Sequence, residues 1–129
     1  MSSHKMLSAM TQISQRLARW PGVTLGAHQY GGLGIFVDDQ ELGQLHDCGL
    51  LDVSLTAVER DALLREGQVH RHHTFPDSGW VTLPIDGLVD VPLAMKALGM
   101  AHARVLDAVF PRLVCMASVG PVIRSLVQA

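Results

Sequence analysis

Apolar positions along this chain change period several times, and each change marks an element. Near the start, Met6, Leu7, Met10, Ile13, Leu17 and Trp20 recur at three- and four-residue spacing, with Gln12, Gln15, Arg16 and Arg19 mostly opposite. That spacing predicts an amphipathic helix of about four turns, stopped by Pro21-Gly22. From Val23 onward the period falls to two. Runs at 23–30, 33–37, 41–46 and 51–55 are separated by Gly31-Gly32, Asp38-Asp39 and Asp47-Cys48-Gly49, all turn chemistry. They predict an antiparallel meander in which Leu33, Ile35 and Val37 share one face, as do Leu51, Val53 and Leu55.

Thr56 and Glu59 have the spacing of a capping box, so a short helix is expected from there to Glu66, ending at Gly67. Two further strands, 69–75 and 80–85, flank the turn Pro76-Asp77-Ser78-Gly79. Asp90 and Pro92 open a longer helix with the apolar stripe Ala94, Ala97, Leu98, Ala101, Val105 and Val109, expected to end at Phe110-Pro111. Beyond it, 113–116 and 122–127 read as two short helical pieces hinged at Gly120-Pro121. No repeat or linker divides the chain. The expected architecture is one α+β domain over residues 1–129, with a single, mainly antiparallel sheet of about five or six strands and helices packed on it. Residues 111–129 form an apolar C-terminal extension.

Composition narrows the class. With 129 residues, 48% of them hydrophobic and 17% charged, the chain suits one globular domain that buries about two-thirds of its unfolded surface. Ten Lys and Arg against twelve Asp and Glu give a net charge of -2, dispersed along the sequence. Neither a nucleic-acid groove nor a membrane-surface patch is favoured. Protonating all seven histidines would move the charge from -2 to -2 + 7 = +5, so charge depends on pH. Cys48 and Cys115 form no CxxC pair and residues 1–20 lack a signal-peptide core, which points to a reducing cytoplasm. No stretch reaches the roughly 20 apolar residues that span a bilayer, so a soluble protein is expected. Leu113, Val114, Met116, Val119, Val122, Ile123, Leu126 and Val127 give the tail an apolar surface suited to a homodimer interface.

Chemistry-bearing residues gather between 41 and 85. Strand alternation puts Gln44 and His46 on one face, and separates His70 and His72 from Arg71 and His73. If the two strands are neighbours, His46 converges with His72 or His73, and Asp52 or Asp77 could complete a tetrahedral zinc site. Against that, no tight ligand spacing is present, and half-exposed imidazoles on a sheet bond equally well to water or backbone. Trp80 is out of phase with Val81, Leu83 and Ile85, so its indole could stand beside the histidines as a wall for a flat or apolar ligand. A covering helix or partner subunit is the alternative. Ser78 lies near Asp77 and His73, but Asp-Ser-Gly is not a nucleophile elbow. An ordinary turn with Gly79 at positive φ is the preferred reading. Cys48 would be reactive only if a neighbour such as His46 lowered its pKa. Gly31, Gly32 and Gly34 precede no helix and so form no phosphate loop. The methionines on helical stretches read as core filling.

Glu41-Leu42-Gly43, His46, Gly49, Asp52, His73 and Pro76-Asp77-Ser78-Gly79-Trp80-Val81 together resemble the small luciferase-like domain family, bacterial and fungal proteins of unknown function. The resemblance covers about residues 20–108, including the helix after Asp90. Gln44 stands where the family often has a second histidine, and an amide is a poor transition-metal ligand. The resemblance implies a domain type, and neither a substrate nor light emission. Function is therefore expected to be that of a small binding or interaction domain without a cofactor, with candidate ligand-binding residues His46, His72, His73, Asp77 and Trp80. The alternative is a His-dependent hydrolase-type enzyme, with or without zinc, using His46, His72 and His73 as ligands or general bases and Asp77 as orienter.

Overall fold

The computed structural model describes residues 2–27, 31–67, 69–72 and 74–116, with side chains placed from 4 to 109 among them. Helix α1 (Ser2–Leu17) turns Ala9, Ile13 and Leu17 inward at the predicted spacing. Leu7, which the spacing put on the buried stripe, is exposed instead, and Ala9, which was not on it, takes an inward place. The strands β1 (Val23–Ala27), β2 (Leu33–Val37), β3 (Gln40–Leu45) and β4 (Leu50–Val53) follow, then α2 (Ala57–Leu64). Next come β5 (His70–Arg71), β6 (Val81–Pro84), a 3-10 turn at Leu88–Asp90, and α3 (Val91–Met116). All six strands form one antiparallel sheet in the order β1-β2-β3-β4-β6-β5. The α+β expectation holds.

Alternation along each strand divides the sheet into two faces. Ile35, Leu45, Leu51, Val53, Val81 and Leu83 are buried in a single core with Ile13 and Leu17 of α1 and Ala94, Leu98 and Ala101 of α3. Every position of the predicted α3 stripe is buried, down to Val109. The opposite face carries a polar row. Gln44 pairs with Asp52, Asp52 with Thr82, and Thr82 with His70, so these four lie side by side across β3, β4, β6 and β5. We call this the polar face.

Register in β3 shifts by one residue. Ile35 faces Gly43 but Phe36 faces Glu41, leaving Leu42 as the extra residue of a β-bulge. Leu42 is fully buried, and its carbonyl accepts from Ser54 N at 2.8 Å.

Three expectations are corrected. Helix α3 does not stop at Phe110-Pro111 but continues to Met116, absorbing the predicted piece at 113–116. Proline removes one helical hydrogen bond and bends a helix, but it need not end one whose flanking turns are otherwise intact. The piece at 122–127 lies outside the described residues. β5 is two residues rather than seven, because His72 draws the chain into a turn, as detailed below. Gly79 is not at positive φ. Among the described residues, no helix is long and apolar enough to cross a membrane.

Candidate functional site

Asp52 occupies the middle of the polar face and is only 2% exposed. A buried carboxylate needs hydrogen-bond donors on both oxygens to offset lost hydration. Thr82 Oγ1, its cross-strand neighbour, donates to Oδ1 at 2.7 Å. His46 Nε2 lies 2.7 Å from Oδ2, and His72 Nε2 lies 3.5 Å from the same oxygen. The first contact is a short, well-formed hydrogen bond; the second is a longer electrostatic contact. His46 sits just beyond β3, where its amide donates to Leu50 O at 2.8 Å, and its side chain is 26% exposed. It reaches Asp52 along the face from one side while His72 reaches it from another.

His72 is held from behind. Its Nδ1 accepts from the amides of Thr74 and Phe75, both at 3.1 Å, which folds the chain into a turn at the end of β5. The imidazole stacks on Phe75 at a centroid separation of 5.7 Å and meets Trp80 edge-on at 6.1 Å. His72 N also donates to Trp80 O at 3.3 Å, carrying the β5–β6 pairing one step further. Phe75 remains 65% exposed.

The turn 76–80 is clamped at three points. Arg60 of α2, 7% exposed, donates through Nη1 to Ser78 O at 2.7 Å and to Asp77 O at 3.4 Å, while its Nε bonds Asp61 at 3.0 Å. Arg71 donates to Pro76 O at 3.0 Å. Ser78 Oγ donates to Phe75 O at 2.6 Å and accepts from Trp80 N at 3.3 Å. The hydroxyl thus belongs to the turn. α2 is itself fixed by the predicted capping box, with Glu59 N donating to Thr56 Oγ1 at 3.2 Å and Thr56 N to Glu59 Oε1 at 2.9 Å.

Of the residues singled out from sequence, His46, His72 and Trp80 are brought into one connected group through Asp52. His73 lies outside the described residues. Asp77 is exposed in the turn, and the carboxylate that bonds His46 is Asp52. The sequence pattern offered Asp52 as a residue of the family resemblance and as an extra metal ligand, and did not single out Phe75 or Arg60. A signal for Asp52 was present: it is the one charged residue in a strand otherwise apolar, flanked by Leu51 and Val53. Arg60 gave none, because its burial depends on a turn 17 residues away. Cys48 is exposed and free. Among the described residues, no group of three or more His, Cys, Asp or Glu side chains is arranged to hold a metal ion.

Residues 39–101 match the family model described as Luciferase domain. This segment is similar to a luciferase-like domain. Its bounds are narrower than the 20–108 suggested by the motifs, yet they enclose His46, Asp52, His72, Phe75, Trp80 and Thr82. The bulge, the polar row and the clamped turn therefore all lie within the matched segment, whereas α1, β1 and β2 precede it. No curated protein and no solved structure matches the chain.

Proposed function

We propose that the polar face of the luciferase-like domain is a small-molecule binding site, with His46 as its polar centre and His72, Phe75 and Trp80 as its aromatic wall. The observation that carries this reading is the 2.7 Å contact between His46 and a carboxylate buried to 2% exposure. A side chain that only needed to be soluble would not require a buried anion to orient it. Asp52 fixes the ring so that one nitrogen faces inward and the other is free to meet a ligand. Aromatic rings beside such a group favour flat molecules, which bury apolar area while the polar centre sets their orientation.

A second reading has one observation in its favour. An imidazole oriented by a buried carboxylate is also the base half of a hydrolytic site. Ser78 does not supply the nucleophile there, because its hydroxyl donates to Phe75 O. Water would have to serve. The proposal further includes a homodimer joined through the apolar C-terminal segment and a reducing, cytoplasmic setting, supported by the composition of 113–127 and by the free, exposed Cys48.

The test is a side-chain NMR titration with a panel of flat fragments: indole, phenol, 4-nitrophenol, 4-nitroanisole and benzamide. At least one should shift the ring resonances of His46 and the indole of Trp80 together, and Asp52→Asn should weaken that response. If no fragment moves both, or all shifts map to the helical side of the sheet, the reading fails.

A further inference from the structure

The pattern of filled and vacant nitrogens around Asp52 restricts what can bind. A carboxylate only accepts hydrogen bonds, so His46 Nε2, 2.7 Å from Oδ2, carries a proton. His72 Nδ1 accepts two amides, so its proton resides on Nε2, which faces the same oxygen. Thr82 takes the other oxygen. Of the four imidazole nitrogens, three are thereby assigned to the protein. The fourth, His46 Nδ1, has no hydrogen-bond partner among the described residues and bears a lone pair. A site with a vacant acceptor backed by a buried anion selects a ligand that donates a proton, and disfavours one that is already an anion.

Resting on the site reading above, we infer that the ligand is a planar molecule with an acidic hydroxyl, a phenol or enol, whose proton passes to His46 Nδ1. The O–H bond breaks and an N–H bond forms; the electron pair stays on the ligand oxygen. The products are a phenolate or enolate and an imidazolium held between that oxygen and Asp52. No other reactant is needed. Charge alternates along the line, with Asp52 negative, His46 positive and the ligand oxygen negative, so the pair formed is stabilised on both sides. Phe75, exposed and stacked on His72, and Trp80, edge-on to the same ring, provide the surface for the flat body of the ligand.

The inference is tested on the full chain with 4-nitrophenol and its methyl ether, 4-nitroanisole, in buffer below the pKa of the free phenol. Phenolate absorbs at longer wavelength than phenol, so proton transfer is read directly. The expected results are a phenolate band that rises with protein concentration and affinity about tenfold above that of the ether. His46→Gln, which keeps the bulk but cannot take the proton, should lose the band and with it the preference for the phenol over the ether. Equal binding of the two probes without a phenolate band would overturn the proton-transfer inference and leave the binding-site reading standing. If neither probe binds, the inference is again overturned; the site reading fails with it only if the other fragments also leave His46 and Trp80 unmoved. Because the band is measured on the unsubstituted protein, a folding defect in the variant cannot mimic either result.

Discussion

Gly79→Ala is the sharpest probe of how the aromatic wall is built. Gly79 lies against the segment between β4 and α2, and a Cβ there would come within 1.8 Å of Leu55 O and 2.7 Å of Leu55 C. Ordinary carbon–oxygen contact begins near roughly 3.3 Å, so the two backbones would have to separate by about 1.5 Å. Neither side yields easily. Leu55 is buried in the core and followed by the Thr56 cap, while Gly79 is held by Arg60 on the preceding carbonyl. Overpacking against fixed backbone costs about 3 kcal/mol. In urea the midpoint should fall by roughly 1–3 M, with Trp80 fluorescence shifting even before unfolding. Gly67 serves as the internal control: its φ is +77° and a Cβ would meet nothing within 4 Å. Gly67→Ala should cost only about 1 kcal/mol, and Gly67→Asn less, because Asn tolerates that dihedral. At Gly79, Asn should be no better than Ala. If Gly79→Ala costs under about 1 kcal/mol, or Asn relieves it, the close-approach argument is refuted.

Three further outcomes are expected. Asp52→Asn replaces a double acceptor by a group that can accept on one side only, so stability should drop by about 2 kcal/mol and the His46 Nε2 proton should lose its protection, as read by denaturation and by imidazole nitrogen shifts. Ser78→Ala removes a turn hydroxyl and should cost about 0.5–1.5 kcal/mol in thermal melts; a serine-directed reagent should label neither protein, and labelling lost in the variant would contradict the turn role. Truncation after Met116 should lower the solution mass measured by light scattering to that of one chain; an unchanged oligomer would remove the C-terminal segment from the interface.

Much of the fold was legible because the relevant forces are local. The capping box at Thr56 and Glu59, the α3 stripe and the inward phase of Leu51, Val53 and Leu55 all follow from periodicity and short-range hydrogen bonding. Strand lengths were less so: β5 ends early because a side chain, His72, captures two amides, and propensity does not register that event. For the site, phase alone put His46 and Trp80 on one face. Asp52 as their common partner required knowing that β4 lies between β3 and β6, a non-sequential neighbour relation that single-strand patterns do not encode. The reach of Arg60 across to Ser78 belongs to the same class of long-range fact.

The bulge at Leu42 has a consequence for how this chain tolerates length changes. The extra residue lets Leu42 and Gly43 both be buried in succession, while the alternation of Gln44, Leu45 and His46 stays in phase with β2. Deleting Leu42 would leave Glu41 opposite Phe36 and Gly43 opposite Ile35 in a regular ladder, with Gln44 and Leu45 on their present faces, but an extra residue between Gly43 and Leu45 would send Leu45 into water. An insertion at Asp38-Asp39, by contrast, would only lengthen a surface turn. Natural insertions should therefore collect in that turn and avoid the three positions between the bulge and the histidine.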